Sequence, residues 1–138
     1  MPDPTLALYF ENNAGQIWEH PDGYAFVCYH ANKRQPGELE RLIMRTGALL
    51  LTRGWQRVLG DQRLMKPQSE EEKAWILEQW YGGKVARPTH ILAALVLAKD
   101  VFTRLATQQI ISSSDRGYLY ESFTDLERAC ARLLMWPA

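Results

Sequence analysis

The sequence predicts an α/β protein with a mixed, mostly parallel sheet, an N-terminal antiparallel meander and four covering helices. Alternating apolar residues separated by turn residues fill the N-terminal third. Apolar residues at helical spacing then recur four times, and a short strand-like segment separates each helix from the next. Because strands that alternate with helices form right-handed crossovers onto a parallel sheet, the predicted order is βββαβαβαβα.

The N-terminal third predicts three strands joined by tight turns. Residues 5–10, 16–19 and 24–31 alternate between more and less apolar side chains, as half-buried strands do. Asn-Asn-Ala-Gly separates the first two strands and His-Pro-Asp-Gly the next two. These residues favour turns because asparagine and glycine tolerate left-handed backbone, proline presets φ and aspartate bonds its own backbone.

Two helices follow the meander. The first begins near Pro36 and runs to about Arg53, and the glycine inside it, Gly47, predicts a close backbone contact. A short strand is predicted over residues 56–60. The second helix begins at Ser69, which forms a capping-box pattern with Glu72, and a glycine pair closes it. Its predicted apolar side consists of Ala74, Trp75, Leu77, Trp80 and Tyr81.

The C-terminal half predicts strand, helix, strand and helix. Residues 91–98 are all apolar, which indicates a strand buried on both faces, although their alanine and leucine content also fits a helix. Asp100 can cap a third helix over residues 101–111, built on Phe102, Leu105 and Ala106. A polar loop over residues 112–117 leads to the last strand, residues 118–123. A second capping box at residues 124–127 starts the final helix. Its predicted apolar stripe consists of Leu126, Ala129, Cys130, Leu133 and Leu134.

Length and composition limit the class of protein. The 138 residues predict one domain, 1–138, and an apolar content of 46% is that of a globular protein. Sixteen basic and sixteen acidic residues balance, so no positive field predicts nucleic-acid binding. No apolar run approaches the roughly 20 residues of a membrane-spanning helix, and the first four residues do not resemble a signal peptide. Two scattered cysteines suit a cytoplasmic protein.

The order of elements resembles the SpoIIAA-like (STAS/SEC14-type) small-domain family. The meander, the three βα units, Asp61 after a short central strand and the closing segment 118–136 carry the resemblance across most of the chain. It implies a bacterial cytosolic protein that acts through protein interaction or a small ligand, without catalysis. Antagonists of anti-sigma factors with this fold are phosphorylated in an Asp-Ser or Asp-Thr context. Here Gln62 follows Asp61, and the nearest helix-start serine is Ser69.

Charged residues follow three of the predicted parallel strands. Ligands of open parallel sheets bind beyond the carboxyl ends of the strands, where loops and helix N-termini meet. The candidate ligand-binding residues there are Lys33, Arg34, Asp61, Arg63, Lys99 and Asp100. The lysine and arginine side chains among them could bind an anion. The structural alternative, weighted higher, is that Asp100 caps a helix and that Asp61 and Arg63 form an ion pair.

An aromatic cluster on the second predicted helix suggests a contact surface. Trp75, Trp80 and Tyr81 cover so much of that helix that one sheet face would not bury them all. They are therefore candidates for a homodimer or partner interface, with core packing as an equal alternative.

The sequence contains no catalytic or metal-binding motif. Cys28 and His30 share a strand face, but a nucleophile pair also needs a third activating group and an oxyanion hole. The histidines and cysteines do not have metal-ligand spacing. The expected function is thus a non-catalytic regulatory or protein-interaction module, without a cofactor. The alternatives are a binder of a small apolar or anionic ligand and, least favoured, an enzyme that uses Asp61 as acid or base.

Overall fold

The computed structural model describes residues 6–113 and 118–136. The strands are β1 (Ala7–Asn12), β2 (Gly15–His20), β3 (Tyr24–Tyr29), β4 (Arg57–Asp61), β5 (Ile91–Val96) and β6 (Tyr118–Phe123). The helices are α1 (Glu38–Arg53), α2 (Glu70–Trp75, continued by a π-helical segment, Ile76–Tyr81), α3 (Val101–Ser113) and α4 (Leu126–Met135). This is the predicted βββαβαβαβα order, and β5 is a strand rather than the helix that its composition also allowed.

The six strands form one mixed sheet in which their spatial order equals their order in the chain. The pairs β1–β2 and β2–β3 are antiparallel, and β3–β4, β4–β5 and β5–β6 are parallel. Right-handed crossovers that all step in one direction place their helices on one face of a sheet. Accordingly α1, α2 and α3 cover one face, whereas α4 packs against β4, β5 and β6 on the other.

The core therefore consists of two layers, one on each face of the sheet. On β5, Ala93 and Leu95 face α1 to α3, whereas Ala94 and Val96 face α4. On β3, Ala25 belongs to the first layer and Tyr24 to the second. Burial on both faces explains why β5 is a continuous apolar run, since neither side of it can carry a polar residue without a partner.

Several element boundaries differ from the predicted ones. β1 extends to Asn12, because Asn12 pairs with Gly15 across the hairpin and its side-chain oxygen accepts from the backbone N–H of Ala14 at 2.8 Å. β4 is displaced by one residue and ends at Asp61. The predicted apolar stripe of α4 is wrong at Leu134, which is exposed. The predicted apolar side of α3 is wrong at Phe102 and Leu105, which are exposed, whereas Ala106 is buried. α3 extends to Ser113, two residues into the predicted loop of residues 112–117. The rest of that loop and the predicted end of α4 at Pro137 lie outside the described residues.

The π-helical segment changes which side of α2 faces the core. A π-helix places residues i and i+5 near one another, one residue more than an α-helix allows. Trp75 and Trp80 therefore share a face, as do Ile76 and Tyr81, and all four contact the first core layer. The prediction of a buried Ala74 and Leu77 is wrong, since both are exposed, and Ile76, which lies outside the predicted apolar side, is buried.

The capping and close-contact predictions on α1 and α2 are confirmed. The Ser69 hydroxyl accepts from the backbone N–H of Glu72 at 3.0 Å, and the Glu72 carboxylate accepts from that of Ser69 at 2.8 Å. At Gly47, a Cβ atom would lie 2.6 Å from the Ala86 carbonyl oxygen and 3.0 Å from the Trp80 ring. Only glycine lets α1 approach so closely.

Candidate functional site

Arg34, after β3, fastens the loop that leads into α2. Its guanidinium donates to both Glu72 carboxylate oxygens, at 2.8 and 2.7 Å. It also donates to the carbonyl oxygens of Lys66 and Pro67, at 3.2 and 2.8 Å. Burial alone would raise the pKa of Glu72, but the hydrogen bonds from Arg34 and from the Ser69 N–H outweigh it and lower that pKa. Arg34 therefore joins the segment that follows β3 to the segment that leads into α2.

Asp61 and Arg63, after β4, form a bidentate ion pair. Arg63 Nε and Nη2 donate to the two Asp61 carboxylate oxygens at 2.9 and 2.8 Å. Cys28 lies beside Asp61 in the register of β3 and β4. Burial, with a smaller effect of the Asp61 charge, raises the pKa of the Cys28 thiol to about 12. The thiol is thus held in its protonated form.

The residues after β5 adjoin those after β4. The Asp100 carboxylate accepts from the backbone N–H of Thr103 at 2.9 Å and so caps α3. The backbone N–H of Lys99 donates to the Arg63 carbonyl at 3.1 Å, which places the two loops side by side. The Lys33 and Lys99 side chains are exposed. Asp61 and Arg63 thus form the ion pair, and Asp100 the helix cap, that the sequence offered as the structural alternative. Anion binding by the six candidate residues stays a prediction.

A cleft of about 390 Å³ opens between the β3–α1 loop and the segment before α2. Residues of both charge signs line it, among them Lys33, Arg34, Lys66, Glu40 and Glu71. Because the two signs are interleaved, the cleft has no uniform potential that would select an anion. Gln68 also lines this cleft.

A cavity of about 90 Å³ lies between the sheet and the helices α1, α2 and α3. Its wall is mostly apolar, with contributions from β3 to β6 and from all three helices. Four of the polar residues of the wall lie near the carboxyl ends of β3 and β4: Tyr29, Gln62, Gln68 and Thr107. A mostly apolar wall with a few convergent polar groups is typical of small-molecule sites.

Three of these polar side chains, those of Gln68, Thr107 and Gln62, form a hydrogen-bonded chain. The Gln68 amide donates to the Thr107 hydroxyl at 3.3 Å, and that hydroxyl donates to the Gln62 amide oxygen at 3.1 Å. The Gln62 amide favours the ionised form of the Tyr29 hydroxyl and by itself would lower its pKa. Burial nevertheless raises the pKa of Tyr29 to about 12, so its hydroxyl keeps its proton. The backbone N–H of Gln62 donates to the Val96 carbonyl at 2.9 Å, which fixes Gln62 at the end of β5.

Of the aromatic residues of α2, Trp80 and Tyr81 line the cavity, and Trp75 packs against the same core layer. Trp80 is only 7% exposed, and Trp75 and Tyr81 are partly buried against the same core layer. Trp80 Nε1 donates to the Tyr120 hydroxyl at 3.5 Å. Core packing, the alternative that the sequence left open, therefore accounts for Trp80, and an interface centred on the three residues stays a prediction.

Sequence reasoning missed the polar chain because its members carry no charge. Gln62, Gln68 and Thr107 are ordinary residues in a sequence, and they are 45 positions apart at most. Gln68 could have been noticed as a polar residue directly before a helix cap. Nothing in the sequence shows that a residue of α3 would face two loop glutamines, since that depends on how the helix packs.

No family model, curated protein or solved structure matches the chain. Across residues 6–113 and 118–136, no group of three or more histidine, cysteine, aspartate or glutamate side chains is arranged to hold a metal ion. Of the helices in the same residues, none has the length and apolar character to cross a membrane.

Proposed function

We propose that the protein is a non-catalytic interaction module of the STAS-like kind that its sequence resembles, and that it pairs with a second copy of the chain. One observation carries this proposal. Four large apolar side chains at the carboxyl edge of the sheet are mostly exposed: Phe102 at 74%, Leu64 at 61%, Val101 at 57% and Leu105 at 51%. We call them the α3 patch.

The four side chains of the α3 patch belong together. Val101, Phe102 and Leu105 lie within the first turns of α3. The Thr103 hydroxyl donates to the Met65 carbonyl at 3.2 Å, and the Lys99 N–H bonds the Arg63 carbonyl. Leu64 lies between Arg63 and Met65, whose carbonyl oxygens accept these two bonds, and is therefore beside the start of α3. Contiguous apolar patches on a protein surface mark interaction sites.

The charge of this helix face favours a second copy as the occupant. From Val101 to Ile110, the exposed positions of α3 are Val101, Phe102, Leu105, Gln108 and Gln109, all of them uncharged. In a two-fold contact the same patch of both copies forms the interface. A charged face would therefore repel the identical face of the other copy, whereas a neutral apolar face does not. Phe102 supplies the large aromatic anchor typical of interface centres.

Two features support the non-catalytic part of the proposal. The Cys28 thiol is held protonated, which is the opposite of an activated nucleophile. Asp61 has both carboxylate oxygens bonded to Arg63. A general acid or base needs a carboxylate that can reach a substrate proton.

Sedimentation velocity over a range of concentrations tests the pairing. We expect a dimer for the unmodified protein and a dissociation constant at least about 30-fold higher for Phe102→Ser, since losing a hot-spot residue costs about 2 kcal/mol or more. Leu51→Ser is the matched control, because Leu51 is 48% exposed on α1 and lies outside the patch. A monomer at every concentration, or a Phe102→Ser protein that pairs as tightly as Leu51→Ser, would refute pairing through this patch.

Small-ligand binding at the carboxyl edge is the second candidate function. The charged residues there do not favour its anionic form, since Arg34 and Arg63 already pair with carboxylates. The cavity of about 90 Å³ favours a small, mostly apolar ligand. It is smaller than the roughly 300 Å³ at which drug-sized pockets begin, so a lipid does not fit.

A further inference from the structure

Three of the six strands have no helix over one of their faces. Among the described residues, α1, α2 and α3 belong to the first core layer and α4 alone to the second. α4 packs against β4, β5 and β6 and so covers one side of its sheet face. On that face the antiparallel strands β1, β2 and β3 are therefore open to solvent. We call this surface the meander face.

The meander face carries a row of large apolar side chains. Leu8 pairs with Trp18 and Trp18 with Phe26. Phe26 in turn pairs with Leu59, which belongs to the second core layer, so the row points to the same side as α4. Leu8 is 48% exposed, and Trp18 is partly exposed and, within the described chain, belongs to neither core layer. The solvated face of an antiparallel sheet is normally polar, so this row indicates a contact surface.

The side of α4 that borders the meander face is also apolar. The Tyr24 hydroxyl of β3 donates to Cys130 Sγ at 3.9 Å, so Cys130 is on the side of α4 toward the meander. Leu126 and Leu134 are each four residues from Cys130 and share that side of the helix. On the opposite side, Arg132 bonds to β6. Leu134, also 48% exposed, is thus the outer part of an apolar wall beside the row.

The row and the wall together have the dimensions of a groove for one helix. From the first to the third, three strands span about 10 Å, and an α-helix with its side chains is about 10–12 Å thick. A helix on the meander face would lie beside α4 at a usual helix–helix spacing and complete the second helical layer. An added β-strand would instead bond along the edge of β1 and leave both apolar surfaces in water.

The charges at the borders of the groove are acidic. Glu11, Asp22 and Glu127 are exposed there. Burial raises the pKa of the Cys130 thiol, and the charges of Asp22 and Glu127 raise it further, which shows that both carboxylates lie close to the wall. A docked helix therefore meets a negative potential on this face.

The arginines of the same face do not neutralise these carboxylates. Arg63 forms its bidentate pair with Asp61, and Arg57 donates to a backbone carbonyl at the end of α4. Glu11 and Asp22 have histidine partners instead, at 3.2 and 3.6 Å. Lysine or arginine side chains on a docked helix would supply the missing opposite charges.

We propose that the meander face docks an amphipathic helix of a partner protein. Its apolar stripe would lie on Leu8, Trp18 and Phe26, and its lysine or arginine side chains would face Asp22 and Glu127. The proposal rests on the proposed interaction function and deepens it by naming the kind of partner. It does not depend on pairing through the α3 patch, which is on another helix and is tested by sedimentation.

A model helix is the probe, since the partner is unidentified. It is a blocked leucine–lysine peptide of about four helical turns with leucine at helical spacing. In ¹H–¹⁵N correlation spectra of the full chain, we expect it to shift the indole N–H signal of Trp18 saturably, and Trp18→Phe assigns that signal. A peptide with glutamate in place of lysine should bind at least about tenfold more weakly, because like charges repel. So should a peptide of the same composition in which leucine and lysine alternate, as in a strand.

Two substitutions test the row and the wall separately. Leu8→Ser and Leu134→Ser should each raise the dissociation constant of the leucine–lysine peptide at least about fivefold, as expected for contacts inside an interface. Leu51→Ser is the matched control and should change it less than about twofold, because Leu51 is equally exposed but belongs to α1 on the other side of the sheet. Since all three side chains are half exposed, the core stays intact, and the dispersion of the spectra verifies the fold. Asp22→Asn combined with Glu127→Gln should weaken binding and reduce its salt dependence.

Four results would overturn the proposal. The first is the absence of a saturable Trp18 shift. Equal affinity for the lysine and glutamate peptides, or equal losses in Leu8→Ser and Leu51→Ser, would show unspecific apolar binding. Equal affinity for the alternating peptide would assign the surface to a strand. Loss of the dimer in Leu8→Ser and Leu134→Ser would mean that a second copy covers the meander face. Peptide binding by a protein that stays monomeric would refute only the pairing through the α3 patch.

Discussion

Replacing Arg34 with methionine tests how the carboxyl edge of the sheet is held together. Methionine keeps much of the apolar stem but removes all four hydrogen bonds that the guanidinium makes, two to the Glu72 carboxylate and two to backbone carbonyls. The paired side chains are only 7% and 12% exposed. The substitution therefore leaves a largely buried carboxylate without its counter-charge.

Breaking a buried ion pair by removing one partner costs about 3–5 kcal/mol. Glu72 keeps its bond from the Ser69 N–H, so we expect Arg34→Met to lower the free energy of unfolding by about 2–3 kcal/mol at pH 7. The effect depends on pH because the folded-state pKa of Glu72 is lowered. Its stabilisation is fully present above the unfolded pKa of about 4.3 and is lost as the pH falls through the lower folded value.

Urea unfolding of the unmodified protein and of Arg34→Met, at pH 7 and at the lowest pH where both fold, measures this. The difference in unfolding free energy between the two proteins should narrow to about 1 kcal/mol in acid. That remainder is due to the bonds from Arg34 to the Lys66 and Pro67 carbonyls. Arg53→Met is the control, since Arg53 pairs with Glu19 at 2.6 Å but is 54% exposed, and such pairs contribute at most about 1 kcal/mol. Equal costs for the two variants at pH 7, or a difference that does not change with pH, would refute the reasoning.

Three further predictions concern single sites. Gly47→Ala should lower the free energy of unfolding by about 1–3 kcal/mol, because the clash with the Ala86 carbonyl outweighs the higher helix propensity of alanine; a higher melting temperature would contradict the close contact. Ser69→Ala should cost about 1 kcal/mol in urea unfolding and Ser69→Asp much less, since aspartate also caps helices; equal losses would argue against capping. The Cys28 thiol should react with iodoacetamide at pH 8 far more slowly in the folded protein than in urea, since a pKa of about 12 leaves about one thiol in ten thousand ionised. Peptide mass spectrometry measures the labelling, and rapid labelling of the folded protein would contradict this prediction.

The fold class followed from the sequence because local patterns alone specify its elements. The apolar run of β5, the capping box at Ser69 and the turn residues between the first strands each depend on neighbours within a few positions. The rule of right-handed crossovers then leaves few arrangements for strands that alternate with helices. The π-helical turn at Ile76 escaped prediction since it inserts an additional residue into a turn, which no apolar periodicity marks.

The candidate site divides in the same way. The sequence placed charged residues after the parallel strands, and it also offered the structural alternatives that describe Asp61, Arg63 and Asp100. The partners of those charges were open, because a side chain on one loop can pair with any segment that folds back to it. Arg34 meets Glu72 across 38 positions, and only the packed loops decide that.

By itself, the sequence determined the order and kind of the elements, the helix caps and the edge of the sheet where polar groups collect. Only the tertiary structure decided that Trp80 belongs to the core, that Phe102 is exposed, and that Gln68 is joined to Gln62 through Thr107 around a cavity. The physical reason is the separation along the chain of the residues that determine each feature. Backbone conformation follows from adjacent residues, whereas a cavity and the polar chain in its wall exist only where distant segments pack and leave a space between them.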